Sequence, residues 1–391
     1  MKVEKQTIAV LGSTGSIGRN TVKVITKNRQ NFKVIILAAN GSNVNLIIEQ
    51  IQLLEPKYFF IKKTEIINDI KNKIIGSSTK ILDFHTLNNI AEQEHINVTV
   101  SAISGFDGIA ATIQMCKCSK KIAIANKEAI VCAWSIIKKT TTKHKCIVVP
   151  IDSEHNSLYQ IISATEKIKP KIEDVLITAS GGPFLKHNNM DNVTKEMALK
   201  HPKWNMGVEN TINSATLINK GLEIIEASLL FNLPEHKIKT LIHPEAMVHA
   251  AVSWEDGSAM TFLSFPDMQL HIANAIMASK PLNTALKPFN FAEMKNLHFY
   301  DVDNHKFPSI NLAREVINLG NIAMVAFNSA NETAIKGFLN EKIKFIDIYK
   351  LVERAVLYFS AKSEIKINSI ENLTELHKEV IKFVNVLMLK T

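Results

Sequence analysis

The sequence predicts an α/β protein. A parallel sheet with crossover helices comes first, a mixed α+β region follows, and a helical region closes the chain. Three observations predict this. Short apolar runs alternate with helix-length segments over the first 150 residues or so. The pattern then changes: 174–179 and 239–263 read as strands of a second sheet, with a long helix at about 214–231 between them. From residue 311 on, apolar positions recur near helical spacing, and no glycine follows Gly337. The chain has 391 residues, 46% of them hydrophobic and 21% charged, enough to bury a sizeable core over two or three domains.

Taken in order, residues 7–11 form an apolar run that ends in glycine, and 16–29 read as a helix. Residues 32–39 and 58–61 read as strands with a helix, 44–54, between them. Further strands are expected at 98–101, 121–125 and 146–150. Residues 282–310 carry Pro288 and Pro308 among polar residues and read as an extended connection. The expected domains are therefore 1–150, 151–285, a linker at 286–311, and 312–391.

Composition narrows the function classes. No apolar run approaches the roughly 20 residues that span a bilayer. The N-terminus, Met1-Lys-Val-Glu-Lys-Gln, places an acid where an export signal would begin its apolar stretch. Cys116, Cys118, Cys132 and Cys146 form no CxxC pair and read as reduced thiols of a cytoplasmic protein. The net charge is +9, but its lysines are scattered in pairs such as Lys62-Lys63 and Lys120-Lys121. Only 7% of residues are aromatic, and no basic stripe interleaves with them. The charge thus reads as a solvated surface, with neither a nucleic acid nor a membrane expected as partner.

Gly12-Ser-Thr-Gly15-Ser-Ile-Gly18 follows the first strand and opens the first helix. Glycines there let backbone amides approach a pyrophosphate, and the helix N-terminus adds positive potential. The second strand ends in Ala39-Asn40-Gly41-Ser42-Asn43, with no carboxylate to repel a ribose 2′-phosphate, which favours NADP over NAD.

Four further motifs could carry chemistry. In Asp152-Ser153-Glu154-His155, read as extended chain, the two acids face the same way and suit a hard divalent cation. A D-x-E by itself is common in solvated loops. Ser180-Gly-Gly-Pro183 after a strand can offer a hydroxyl and amides to an anion; the plain alternative is a tight turn. Ser214 reads as the cap of a helix on which Asn219, Lys220 and Glu223 share one face. That face can serve a phosphate and a metal, or be an ordinary surface Lys–Glu pair. His201-Pro-Lys-Trp204-Asn-Met206-Gly207 puts an aromatic and a methionine in a polar loop, as in a lid over a ligand.

In this order, these pieces resemble the 1-deoxy-D-xylulose 5-phosphate reductoisomerase family. The resemblance rests on GSTGSIG at 12–18, ANKE at 125–128, DSEH at 152–155, SGGPF at 180–184 and HPKWNMG at 201–207. It continues through SATLINKGLE at 214–223, IHPE at 242–245, PDM at 266–268 and NSANETA at 328–334, and so covers nearly the whole chain.

The resemblance implies a Rossmann-like NADPH-binding domain, a central catalytic domain with a flap, and a C-terminal helical domain. It implies rearrangement and NADPH-dependent reduction of 1-deoxy-D-xylulose 5-phosphate to 2-C-methyl-D-erythritol 4-phosphate, in non-mevalonate isoprenoid biosynthesis. A divalent metal (magnesium, manganese or cobalt) and a homodimer are implied with it. Thr14, Gly15, Ser16, Ile17, Gly41, Ser42, Asn43, Asn126, Glu128 and Gly207 match cofactor-contacting positions. Asp152, Glu154 and Glu223 match the metal ligands, and Lys127, Ser153, Glu154 and His201 match substrate contacts. Ser180, Ser214, Asn219 and Lys220 match the phosphate pocket, and Trp204 and Met206 the flap.

Some positions depart from the family pattern. Ser42 stands where related sequences often carry a lysine for the 2′-phosphate, Asn213 where an Asp precedes the motif serine, and His271 where a proline follows PDM. A semialdehyde dehydrogenase with a similar glycine loop is the alternative. It needs a nucleophilic cysteine near a histidine, a signature that neither Cys132 nor Cys146 carries. A non-enzymatic NADP-binding regulator would lose the acidic set, which is present.

Overall fold

The computed structural model describes residues 5–168, 170–187, 189–200, 207–277, 281–294, 296–362 and 364–390. They form two compact units. The first comprises Met1–Asn126, Ile137–Asn156 and Asp267–Pro288; the second comprises Lys127–Ile136, Ser157–Pro266 and Phe289–Thr391.

The first unit is built on a seven-stranded sheet. Its strands are β1 (Gln6–Leu11), β2 (Phe32–Ala39), β3 (Tyr58–Ile61), β4 (Lys80–Asp83), β5 (Ile96–Ser101), β6 (Ser119–Ile124) and β7 (Ile147–Pro150). All pair in parallel, in the spatial order β4-β3-β2-β1-β5-β6-β7. Strands buried on both faces need continuous apolar runs, and β1 and β2 supply them: Ile8 to Leu11 and Ile36 to Ala38 are fully buried. The connecting helices are α1 (Ser16–Lys27), α2 (Val44–Leu54), α3 (Ile67–Lys73), α4 (Leu87–Ala91), α5 (Ile109–Cys118) and α6 (Lys127–His144). The strand order reverses at β1, and that switch point is where open α/β sheets bind ligands.

Two helices carry the chain from one unit to the other. α6 departs from helical backbone at Ala133 (φ −127°, ψ 15°). α7 (Ser153–Thr165) begins in the first unit and continues in the second.

The second unit holds a five-stranded mixed sheet. β8 (Ile172–Ala179) and β9 (Ile238–Ile242) are parallel, and β10 (Val248–Trp254) runs antiparallel between β8 and β11 (Ala259–Leu263). The two-residue β12 (Tyr300–Asp301) pairs with β9. α8 (Lys195–Ala198), α9 (Val208–Ala215) and α10 (Ile218–Phe231) lie between β8 and β9 in sequence. Val175, Ile177, Ile224, Ile238, Ala250 and Trp254 pack in the core formed with this sheet.

α11 (Met268–Ile276) belongs to the first unit, where Lys27 Nζ at the end of α1 reaches Gln269 Oε1 at 3.1 Å and Thr284 O at 2.8 Å. The remaining helices are α12 (Ser309–Leu319), α13 (Asn321–Leu339), α14 (Phe345–Ser360) and α15 (Ile370–Met388), all in the second unit. The α/β architecture expected from the sequence is thus observed, with its parallel sheet, second sheet and helical C-terminal region. No helix among the described residues is long and apolar enough to cross a membrane.

Candidate active site

At the glycine turn of the first unit, Gly12 N and Ser13 N both donate to Ala38 O, at 2.8 and 2.9 Å, which ties the turn to the end of β2. Gly12 adopts φ +79°, and a Cβ there would stand 2.4 Å from Ala102 O. A Cβ on Gly18 would stand 2.1 Å from Gly12 O, so the loop and the first turn of α1 are closer than any side chain permits. Gly15 occupies the N-cap of α1 in extended conformation with no side chain capping the helix amides. Thr14, Ser16 and Ile17 are half-buried around it. Gln50 of α2, which the sequence reading passed over, donates from Nε2 to Ser13 O at 2.8 Å. Both residues are buried, so this brace fixes the loop from behind.

At the end of β2, Ser42 N donates to Asn40 Oδ1 at 2.9 Å, Gly41 takes φ +101°, and Asn43 Oδ1 caps α2 through Leu46 N at 3.0 Å. At the end of β6, buried Asn126 donates from Nδ2 to Ile103 O and to Gly105 O (3.0 Å). All these residues sit at carboxyl ends of parallel strands, where a dinucleotide would lie.

Asp152 follows β7. Its Oδ1 accepts from Ser153 N at 2.9 Å, and Ser153 Oγ donates to Glu154. Carboxylate oxygens of Asp152 and Glu154 approach within 4.8 Å. The reading of this motif as extended chain needs correction: Ser153 and Glu154 form the first turn of α7. The acids converge because a helix starts between them, with Asp152 just before it. His155, buried, holds Nδ1 3.9 Å from Asp152 Oδ2.

In the second unit, Glu223 of α10 is 2% exposed and Lys220 is 3% exposed. Lys220 Nζ and Asn219 Nδ2 both donate to Glu223. Lys127, at the start of α6, reaches Asn219 Oδ1 at 2.7 Å and Glu223 Oε1 at 3.2 Å. One carboxylate thus holds two ammonium groups almost out of water, an arrangement in which losing either sign costs about 3–5 kcal/mol. The surface-pair reading of Lys220 and Glu223 is overturned by this burial.

Ser180 follows β8, where Gly181 and Gly182 adopt φ +85° and +62°. A Cβ on Gly182 would stand 2.7 Å from Ser214 O, so the two serines expected in one anion pocket lie on neighbouring backbone. Ser214 is not a helix cap. It lies in the last turn of α9; the chain then turns through Leu217 at φ +54° into α10. Asn213 beside it accepts from Asn331 Nδ2 of α13 at 2.7 Å, a buried contact between residues far apart in the chain.

Glu128 and Glu332 belong to this unit too. Burial, followed by the charge of Glu128, pushes the Glu332 carboxyl up to about 7, while Asn328 donates to it at 3.0 Å. Gly207 is exposed at the N-cap of α9. His201, Trp204 and Met206, expected as a substrate contact and as the flap, lie outside the described residues. Of the two cysteines the alternative reading could use, both are buried; the Cys132 thiol is raised well above the usual range, chiefly by burial, whereas that of Cys146 is lowered, chiefly by its contact with Cys116.

A parallel sheet whose first strand opens into a brace-held glycine turn, in a chain that also buries a carboxylate between two lysines, defines a class: a dinucleotide-dependent oxidoreductase. Residues 8–134 match 1-deoxy-D-xylulose 5-phosphate reductoisomerase, and residues 148–231 and 263–383 match two C-terminal domains described under the same enzyme name. The chain belongs to the 1-deoxy-D-xylulose 5-phosphate reductoisomerase family. The reductoisomerase of Clostridium tetani is 36% identical over 380 residues, 96% of this chain and 98% of the relative. That of Endomicrobium trichonymphae is 39% identical over 359 residues, 89% of this chain and 91% of the relative. A solved structure described as DOX-P reductoisomerase in complex with NADPH, fosmidomycin and magnesium has a TM-score of 0.90 and 33% identity, covering 98% of each chain. The enzyme from Zymomonas mobilis in complex with NADPH has a TM-score of 0.90 and 32% identity, covering 98% of this chain and 99% of that one.

Proposed function

We propose that this protein converts 1-deoxy-D-xylulose 5-phosphate to 2-C-methyl-D-erythritol 4-phosphate with NADPH and a divalent metal, in non-mevalonate isoprenoid precursor biosynthesis. The observation that carries the reading is the buried Lys127–Asn219–Glu223–Lys220 network, in a chain of this family.

Asp152, Glu154 and Glu223 would hold the metal. Their fit rests on chemistry: two hard carboxylates within 4.8 Å of each other in one unit, and in the other a carboxylate already paired with cations. When bound, the ion polarises the substrate carbonyl beside the carbon–carbon bond that is broken and remade. Lys220 exchanges Glu223 for the substrate phosphate, with Asn219, Ser180 and Ser214 as further donors. Lys127, Ser153 and His201 orient the sugar. Trp204 and Met206 cover it and exclude water from a reactive intermediate. NADPH lies along the glycine turn; Thr14, Gly15, Ser16 and Ile17 hold its pyrophosphate, and Asn126, Glu128 and Gly207 complete the contacts.

The functional division follows the sequence: cofactor binding in 1–150, catalysis in 151–285, a linker at 286–311 and a helical domain at 312–391. The protein acts in the cytoplasm as a homodimer.

The test is NADPH oxidation followed with and without 1-deoxy-D-xylulose 5-phosphate, each with and without EDTA. Oxidation that requires the sugar phosphate and stops in EDTA is expected. Oxidation indifferent to the sugar, or full turnover in EDTA, overturns the reading.

A further inference from the structure

The turn at the end of β2, Ala39-Asn40-Gly41-Ser42-Asn43, carries no charged side chain of either sign. No carboxylate occupies 39–43. Gly41 at φ +101°, the Asn40–Ser42 contact and the Asn43 cap form a small polar turn ahead of α2. A doubly charged phosphate ester still needs a cation at this point.

The neighbouring strand supplies one. β3 runs parallel to β2 with Ile61 opposite Ala39, and the chain leaving it stays alongside the turn. Lys62 N donates to Ala39 O at 3.2 Å, and Lys63 N donates to Asn40 O at 3.0 Å. A Cβ built on Gly41 would stand 2.8 Å from Ile66 Cδ1 and 3.0 Å from the Cβ of Lys63, so the Lys63 side chain starts directly against the turn. The two lysines differ in what they already hold. Lys62 Nζ is 2.7 Å from Asp107 Oδ2. Lys63 is exposed and has no ion pair among the described residues.

We propose that Lys63 reads the 2′-phosphate of the dinucleotide and sets the preference for NADPH over NADH. The proposal rests on the cofactor reading above. A lysine serves well from this distance: its ammonium is a compact charge on a flexible four-carbon stem, and it needs no fixed fork geometry.

The experiment titrates the full-length protein with NADPH and NADH, and separately with 2′,5′-ADP and 5′-AMP, which differ only in the 2′-phosphate. Wild type is compared with Lys63→Met, with Lys62→Met, and with Lys63→Met carrying Ser42→Lys. Lys63→Met should weaken NADPH and 2′,5′-ADP by about ten- to a hundredfold, the range of a lost charged hydrogen bond. NADH and 5′-AMP should change less than about twofold, since they offer nothing for the lost charge to hold. Lys62→Met should leave the preference intact, and Ser42→Lys should restore it in the Lys63→Met background. Undiminished preference in Lys63→Met, or equal losses for both cofactors, overturns the assignment while leaving the cofactor reading standing. If the wild-type protein binds neither NADPH nor NADH, the cofactor reading fails, and this proposal with it.

Discussion

At the glycine turn of the first unit, side chains are kept out: added Cβ atoms at Gly12 and Gly18 would meet backbone at 2.4 and 2.1 Å. On α10 of the second unit the side chains are the site, with Asn219, Lys220 and Glu223 on one face and Lys127 facing them from α6. The first region works through the shape of its backbone, the second through charge held out of water. They should therefore fail differently, by misfit in one and by uncompensated charge in the other.

The largest expected effect comes from Glu223→Gln. The isosteric amide leaves Lys127 and Lys220 buried opposite a neutral group, so the melting temperature should drop and turnover should fall by about 10²–10³-fold or more. NADPH affinity should persist, because the glycine turn needs none of these charges. Steady-state kinetics, a thermal melt and an NADPH titration on one sample check all three. A Gln variant with normal turnover would end the comparison on the charge side.

A smaller effect is expected from Gly18→Ala, where the loop must move away from α1. NADPH affinity should fall by about tenfold or more, as expected for a lost close approach at a helix N-terminus. Glu223 keeps its partners, so the difference in stability between this variant and the double variant Gly18→Ala, Glu223→Gln should equal that of Glu223→Gln alone. Non-additive melts would mean that the two regions are not separable.

The smallest effect concerns Glu332, whose folded carboxyl is raised to about 7 by burial and by Glu128. A raised carboxyl binds its proton more tightly folded than unfolded, so its contribution is fully present below the unfolded value near 4.5 and is lost as pH rises through about 7. Glu332→Gln, which cannot ionise, should be more stable than wild type at pH 8, by about 1–3 kcal/mol. The difference should vanish below about pH 4.5. Melts across this range decide it, and a constant offset at all pH values would assign the effect to packing.

Much of the first unit was legible because buried parallel strands are short apolar runs bounded by turns; β2, α2 and β3 fall at their expected limits. β4, α3 and α4 were not read, since a four-residue edge strand and short half-exposed helices carry little periodicity. β12 exists only through its partner β9. The side-chain chemistry of α10 was legible from i, i+3 and i, i+4 spacing, but its burial was not, because burial comes from elements far away in sequence. Reading 214–231 as one helix failed at Leu217. Nothing in Ser-Ala-Thr-Leu-Ile signals a left-handed residue, and core packing of Leu217 at 2% exposure holds it there. Lys63 went unread for a similar reason: its nearness to the turn at 40–43 is a property of strand order.

The placement of α11 has a consequence for how the protein is made. Besides the Lys27 contacts, Asn28 Nδ2 donates to Asn283 O at 2.8 Å, and Asn283 N donates to Asn28 Oδ1 at 3.0 Å, so the end of α1 is finished by residues from the 267–288 segment. All of Ser157–Pro266 lies between in the chain. A ribosome adding about 5–20 residues per second takes roughly 5–20 s to cross that stretch. Throughout, the nascent first unit has its seven strands but one uncovered helix face. A nascent chain halted before residue 267 should therefore be held by chaperones, and release should track the emergence of α11.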